Sequence, residues 1–345
     1  MKKVLIVGSA EQSGGGVATV IRLMKKMPFW KKYRCYWLGT QIQAGKLTKL
    51  RYAVTAYLKA LMKIWRYDIV HFHTVPNVSM AIQLPVFLLA LLARKKIILH
   101  LHVCNQLEME EYTSYRLAHW TMRKADMIVL LANKAKNLLD THWEDVKTRR
   151  CVIYNACQDV ESLPYNEHEK TILYAGRFTE NKCGWLLIKA FNLVKDTYPD
   201  WKLQLLGDGP QKTTYTRLIE EYNLNERVEM PGFVYGEELA AYYRKAGIYG
   251  MTSHYEGVPM VVIDAWAYGV PVVSTPVGGL PEMIEEDKNC CVYDFDDYEG
   301  LAKKLDHLMG NYRLREEMSR FCTDYAKRFS MENINNALDN LYNSI

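Results

Sequence analysis

The stretch IYGMTSHYEGVPMVVIDAWAYGVPVVSTPVGG, Ile248–Gly279, decides the fold. Ile248–Thr252 is a short β-branched and aromatic run that reads as a strand. Gly257-Val258-Pro259 is a turn, with Pro259 suited to the first helical position. An apolar helix follows to Tyr268, ended by Gly269 and Pro271. Val270–Ser274 then reads as a second strand. Strand, helix and strand in so few residues predict a parallel crossover unit.

The same alternation runs through the rest of the chain. Candidate strands are Val4–Gly8, Tyr33–Leu38, Ile69–His73, Ile97–His102, Met127–Leu131 and Cys151–Tyr154, then Thr171–Ala175, Leu203–Gly207 and Val228–Met230. A polar break, QDVESLPYNEHEK (Gln158–Lys170), separates two series. The expected class is α/β: two Rossmann-like, doubly wound parallel-sheet domains facing each other across a cleft. The first is expected over residues 1–157 and the second over 158–326, with a last helix at about 327–345 packing back on the first. A chain of 345 residues suits two such domains.

Apolar residues make up 49% and charged residues 24%, a globular composition. The start, MKKVLIVGS, has too short an apolar run for a secretory signal and reads as a strand. MAIQLPVFLLALLA (Met80–Ala93) is shorter than a membrane span and contains Gln83 and Pro85, so it reads as a core helix. The eight cysteines form no CxxC pair and read as reduced thiols of a cytoplasmic protein, without zinc.

The net charge of +5 hides an asymmetry. Residues 1–155 carry 25 Lys/Arg and 9 Asp/Glu; residues 156–345 carry 19 and 30. The first half is therefore expected to face something anionic. KLTKLRYAVTAYLKALMKIWRY (Lys46–Tyr67) has six bases and no acid, with Leu47, Leu50, Val54, Leu58, Leu61 and Trp65 at helical spacing. It reads either as a surface for an anionic membrane or as a basic face over an ordinary core stripe. No nucleic-acid recognition module matches.

Gly14–Gly16 precede a helix expected near Val17, where free N–H groups can hold an anion or sugar hydroxyls; a plain tight turn is the alternative. The dinucleotide fingerprint G-x-G-x-x-G and the P-loop are absent, which disfavours nicotinamide chemistry. Of His100 and His102, which share a face, His102 is nearer the strand's C-terminal end; it is either a site residue or a structural histidine. Arg177 and Lys182, on a strand-to-helix loop, suit a diphosphate or are solvated cations. Glu256 sits at the mouth of the Gly-Val-Pro turn. Asp264 lies one to two turns inside an apolar helix, where an acid needs a hydroxyl, amide or cation partner. Asp294-Phe295-Asp296 reads as a solvated acidic face.

These segments together resemble the family-4 retaining glycosyltransferases of bacterial polysaccharide synthesis, which have the GT-B fold. In chain order they are SGGGVATVI, HFHT, LHLHV, AGRFTENKCG, LLGDGPQ and SHYEGVPMVVIDAWAYGVPVVSTPVGGLPEMI. The resemblance implies a metal-independent hexosyltransferase with no cofactor, using a UDP- or GDP-linked sugar as substrate. The basic first half, with Lys46–Tyr67, points to the acceptor side: a glycan or polyprenyl-linked acceptor, met by peripheral binding at the inner face of the plasma membrane. The resemblance implies that Arg177 and Lys182 grip the donor diphosphate. Glu256, first acid of the family's E-x7-E motif, would lie by the sugar hydroxyls. Asp264 would be the second acid, at the ribose. The backbone of Gly257 and Val258 would approach sugar and phosphate, His102 the sugar near its reacting carbon, and Gly15 and Gly16 the phosphate and acceptor. A second reading from another class is a catalytically silent nucleotide-sugar-binding partner subunit.

Three positions depart from the family pattern. Asp264 replaces Glu and is one methylene shorter, roughly 1.3–1.5 Å of reach. Ala156 stands where a glycine is usual at the domain link, and Cys183 where a glycine follows the lysine.

Overall fold

The structure is a computed structural model and describes residues 2–42, 44–76, 78–104, 115–160, 165–166 and 168–345. The chain divides into two compact units, Met1–Ala156 with Phe329–Ile345, and Cys157–Arg328. Part of the polar break, residues 161–164 and 167, lies outside the described residues.

The first unit holds one six-stranded sheet: β1 (Val4–Ser9), β2 (Tyr36–Gln41), β3 (Ile69–Thr74), β4 (Lys96–Leu101), β5 (Met127–Leu130) and β6 (Arg149–Val152). Every pairing is parallel, in the order β2-β1-β3-β4-β5-β6. Its helices are α1 (Gly16–Lys26), α2 (Pro28–Lys32), α3 (Lys46–Lys63), α4 (Val78–Leu92), α5 (Tyr115–Lys124) and α6 (Asn133–His142). The sheet reads as continuous apolar runs because both faces are covered: Val4–Val7 and Ile97–Leu99 are buried.

The second unit repeats the plan with β7 (Thr171–Ala175), β8 (Lys202–Leu206), β9 (Val228–Gly232), β10 (Ile248–Met251), β11 (Val272–Ser274) and β12 (Cys290–Val292). Their order is β12-β11-β10-β7-β8-β9, again all parallel. The helices are α7 (Trp185–Val194), α8 (Lys212–Glu221), α9 (Gly236–Arg244), α10 (Met260–Ala267), α11 (Tyr298–Met309) and α12 (Tyr312–Ala326). Each sheet has one point where the strand order reverses, between β1 and β3 in the first and between β7 and β10 in the second. Ligands of open α/β sheets bind at such points, beyond the strands' C-terminal ends.

The last helix, α13 (Met331–Ser344), is part of the first unit. Its Asn335 Oδ1 accepts from the N–H of Phe29 at 2.8 Å, and Asp339 pairs with Lys32 at 2.6 Å. Tyr342 is fully buried, edge-on to Phe29 and Tyr33.

Several expectations need correction. The second strand begins at Tyr36, three residues later than expected, because Tyr33 closes α2 and is buried there. β12 was not anticipated. Pro259 caps α10 instead of opening it, and the helix ends at Ala267, with Gly269 beyond it at φ 69°. The apolar stripe of α3 is not a core stripe: Leu47, Leu50, Val54, Leu58, Leu61 and Trp65 are exposed, and Ala56 and Ala60 face inward instead. α4 is a helix of 15 residues with Gln83 buried. Among the described residues no helix is long and apolar enough to cross a membrane.

Candidate active site

The loops after β7 and β10 meet at the reversal point of the second sheet. The first runs from Gly176 to Lys182, the second from Thr252 to Pro259. They are stitched by backbone and short polar groups. The N–H of His254 donates to the carbonyl of Asn181 at 2.9 Å. The Asn181 side-chain amide donates to the carbonyl of Tyr255 at 3.1 Å, and the Thr252 hydroxyl to that of Lys182 at 2.7 Å. This seam carries the ion pair between Lys182 Nζ and Glu256 Oε1, both partly buried. Arg177 is exposed on the same loop.

A third loop, after β11, closes against the turn. Thr275 Oγ1 donates to the carbonyl of Ser253 at 2.7 Å, and the N–H of Gly279 to that of Gly257 at 2.8 Å. Gly278 has φ 59°, and a Cβ there would lie 2.3 Å from the carbonyl oxygens of both Glu256 and Gly257. The glycine therefore lets one backbone lie directly on another. On the other side, the β8 end approaches the β7 end: a Cβ on Gly207 would lie 1.9 Å from the Gly176 carbonyl oxygen. The Gly-Val-Pro turn is thus held by the loop after β11, and the neighbouring Tyr255 by Asn181 of the loop after β7, with the α10 N–H groups directed out of its N-terminal end.

Cys183 takes the left-handed conformation, φ 45°, which its position would more readily give to a glycine, and Gly184 becomes the helix cap at φ −60°. Its thiol is pushed up to about 11 by burial, with Asp296 and Glu180 adding to the rise. It lies 3.7 Å from His254 Nε2, which also faces Asp296 Oδ1 at 2.9 Å. Asp296 is therefore not only part of a solvated acidic face; it orients the histidine next to the seam. Neither His254 nor Gly278 was singled out from the sequence. The glycine pair of TPVGG after a strand was the available signal for Gly278.

Asp264 lies one turn into α10, partly buried and surrounded by Tyr243, Tyr249 and Tyr268. The Gln158 N–H donates to its carboxylate, and burial still raises its pKa to about 7. The partner predicted for this acid is thus a backbone amide at the start of the second unit. No positive φ occurs at Ala156, so the link does not need the usual glycine there.

In the first unit, His71 and His73 of β3 and His100 of β4 form a fully buried column. His102, just past β4, ends it: its Nε2 lies 2.9 Å from His73 Nδ1. At the other end His71 Nδ1 meets the Tyr342 hydroxyl at 2.8 Å. Burial lowers the pKa of all four, that of His102 to about 4, so the column is uncharged at neutral pH. Nitrogens of His71, His73 and His100 lie within 4.8 Å of one another. Their ring planes are within 10–34° of parallel, so the in-plane lone pairs run side by side and do not converge on one ion. Gly15, at φ 104°, caps α1, and Gly15 and Gly16 are exposed at the β1 end of the same sheet edge.

Residues 158–325 match the family model of glycosyl transferases group 1. The fold is GT-B. The crystal structure of Anabaena Alr3699/HepE in complex with UDP and glucose superposes with a TM-score of 0.82 over the whole of both chains, at 16% identity. At that identity the likeness speaks for the GT-B fold alone. Among curated relatives, the uncharacterized glycosyltransferase MJ1178 of Methanocaldococcus jannaschii is 30% identical over 209 residues, 60% of this chain and 56% of that one. The putative colanic acid biosynthesis glycosyltransferase WcaL of Escherichia coli is 34% identical over 140 residues, 39% of this chain and 34% of that one. The chain thus spans about a third to just over half of these two relatives' length. In this GT-B chain the Lys182–Glu256 seam, the Gly278 contact and Asp264 all lie in the matched segment.

Proposed function

We propose that the protein is a retaining, metal-independent glycosyltransferase of cell-surface polysaccharide synthesis. It takes a hexose from a UDP- or GDP-linked donor and adds it to a glycan or polyprenyl-linked glycan at the cytoplasmic face of the membrane. The observation that carries this reading is the Lys182–Glu256 pair at the sheet reversal point, inside the segment matching glycosyl transferases group 1.

Each residue then has a role set by its chemistry. Lys182 and Arg177 neutralise the diphosphate, the lysine as a point charge and the arginine as a fork. Binding replaces the Glu256 carboxylate on Lys182 with phosphate oxygens and frees Glu256 to accept from sugar hydroxyls. The amides of Gly257 and Val258 and the start of α10 face the charge that grows on the leaving group. Asp264 accepts from the ribose, and Gly15 and Gly16 meet phosphate and acceptor. His102, neutral at physiological pH, contacts the sugar without adding a positive charge. The bond from the sugar's anomeric carbon to the diphosphate oxygen breaks, and one to the acceptor oxygen forms on the same face. The acceptor proton passes to the departing phosphate, so Glu256 needs no covalent role.

Two relatives support the substrate class by their printed names: HepE was crystallised with UDP and glucose, and WcaL is assigned to colanic acid synthesis. The test is a panel of UDP- and GDP-sugars scored by melting shift and by donor hydrolysis, since a ligand of the native state raises its stability. A melting shift with hydrolysis that Glu256→Ala and Arg177→Ala abolish is the expected result. A shift without turnover identifies a silent binding subunit instead. No shift with any donor sinks both readings.

A further inference from the structure

The first unit presents an apolar face that its own fold does not use. Steps of about 100° per residue put Leu47, Leu50, Val54, Leu58, Leu61 and Trp65 within an arc of roughly 80° on α3 and its continuation. All six are 47–63% exposed, while Ala56 and Ala60 are buried on the opposite side. The two alanines let the helix sit close to the sheet, and Tyr57 ties it to α4 through its hydroxyl, 2.8 Å from the Ile82 carbonyl. α4 extends the face: Leu88 is exposed, and Leu92 is 80% exposed at its end. Lys95, just beyond, donates to the Trp65 carbonyl at 3.4 Å.

Charge says what covers this face. Lys46, Lys49, Arg51, Lys59, Lys63 and Arg66 are the six bases of the segment, and no acid lies between residues 46 and 67. Arg51 and Lys59 are exposed on one side of the stripe and Lys46 on the other, and Arg66 is exposed at the segment's end. The first acid after it, Asp68, accepts from the Lys3 N–H at 2.7 Å. A second copy of the chain is a poor occupant: a two-fold contact through α3 would set these bases against their own duplicates. A leucine stripe with a tryptophan and a basic flank matches the headgroup boundary of an anionic bilayer, where acyl chains take the leucines and phosphates the bases.

We propose that α3, with the end of α4, is a membrane-docking face that inserts shallowly into an anionic lipid surface. This deepens the reading of a lipid-linked acceptor, and it stands on the first unit alone.

The experiment is co-sedimentation of the full chain with vesicles of phosphatidylglycerol and phosphatidylcholine, beside pure phosphatidylcholine. Binding to the anionic vesicles, weakened by high salt, is expected, with dibromo-lipid quenching of tryptophan emission that Trp65→Phe reduces. Leu58→Glu with Leu61→Glu is expected to lower vesicle binding at least tenfold. Arg51→Glu with Lys59→Glu is expected to remove the preference for anionic lipid. All four sites are exposed, and unchanged melting of both variants shows that folding is retained. Vesicle binding that ignores these substitutions overturns the proposal. So does an absence of binding at low salt, or a dimer that the Leu58→Glu, Leu61→Glu pair dissociates. The donor panel separates the two readings. A chain that binds vesicles but no nucleotide sugar removes the donor reading alone; one that binds nucleotide sugar but no vesicle removes this one alone.

Discussion

Lys182 and Glu256 come from loops after two adjacent strands, 74 residues apart in sequence, and their charged ends meet as an ion pair. The pair keeps a cation in a partly buried position. Lys182→Met leaves Glu256 facing that pocket alone, and is expected to cost about 1–3 kcal/mol of stability. Lys182→Met with Glu256→Gln recovers much of it. Urea unfolding of the single and double variants gives the coupling; additive effects would mean the pair is not formed in solution.

Asp264 gives a pH signature. Its pKa of about 7 lies above the 3.8 of an unperturbed aspartate, because burial disfavours its charged form. Between those values the folded protein holds a proton that the unfolded chain has lost. This group's contribution to stability is therefore full below about pH 4, falls as pH rises toward 7, and then levels off, by at most about 4 kcal/mol. Asp264→Asn is expected to flatten that part of the stability profile, measured by urea unfolding at several pH values. Equal slopes in the two proteins would sink the assignment.

The same residue links pH to ligand. In the proposed ribose role, hydroxyls donating to Asp264 favour its ionised form, so donor binding near pH 7 is expected to release protons. Calorimetry in buffers of different ionisation enthalpy reads the number released. Asp264→Glu is expected to leave donor affinity similar or higher, and Asp264→Ala to lower it. Binding that is indifferent to both substitutions would make Asp264 structural.

Gly278→Ala is the sharpest test of the turn. The added Cβ meets two carbonyl oxygens at a left-handed φ, so the loop must move. A loss of about 2 kcal/mol or more is expected. The nucleotide-dependent melting shift should fall further than stability does. A variant with normal nucleotide binding would show that the TPVGG loop does not hold the Gly-Val-Pro turn in place.

Tyr342→Phe removes the partner of His71 Nδ1 inside the sheet. An unpaired buried nitrogen costs about 1–3 kcal/mol. Chemical denaturation is expected to show that loss, and Tyr342→Leu a larger one, because the contacts with Phe29 and Tyr33 go too.

Much of this architecture is legible in the residues. The strands that were found carry β-branched runs with glycine or polar ends. β12 escaped because Cys290–Val292 is three residues between acidic loops, too short to show a period. The site loops were visible as Arg177, Lys182, Glu256 and the Gly-Val-Pro turn. Their pairing was not, because Lys182 and Glu256 are neighbours only through the β7–β10 crossover. Periodicity also gave α3 a clear apolar stripe without saying which way it faces. Two alanines, weak in any hydropathy pattern, decide that by fitting closely against the sheet. The histidines show the same limit: alternation sets His100 and His102 on one face, but only strand register shows that His102 ends the column and His100 lies within it.

The second unit begins and ends at almost the same place. Cys157 opens it, and the Cys157 thiol donates to the Ala326 carbonyl at 3.8 Å, two residues before the unit closes at Arg328. Such a segment is a cassette with adjoining ends. Residues 157–328 can be excised as one piece, or rejoined end to end and opened elsewhere, without severing any strand of either sheet. Every loop of the Lys182–Glu256 seam travels inside that piece, so under the proposed function a transplant of the whole piece between relatives is expected to carry donor preference with it, while α3 stays with the host.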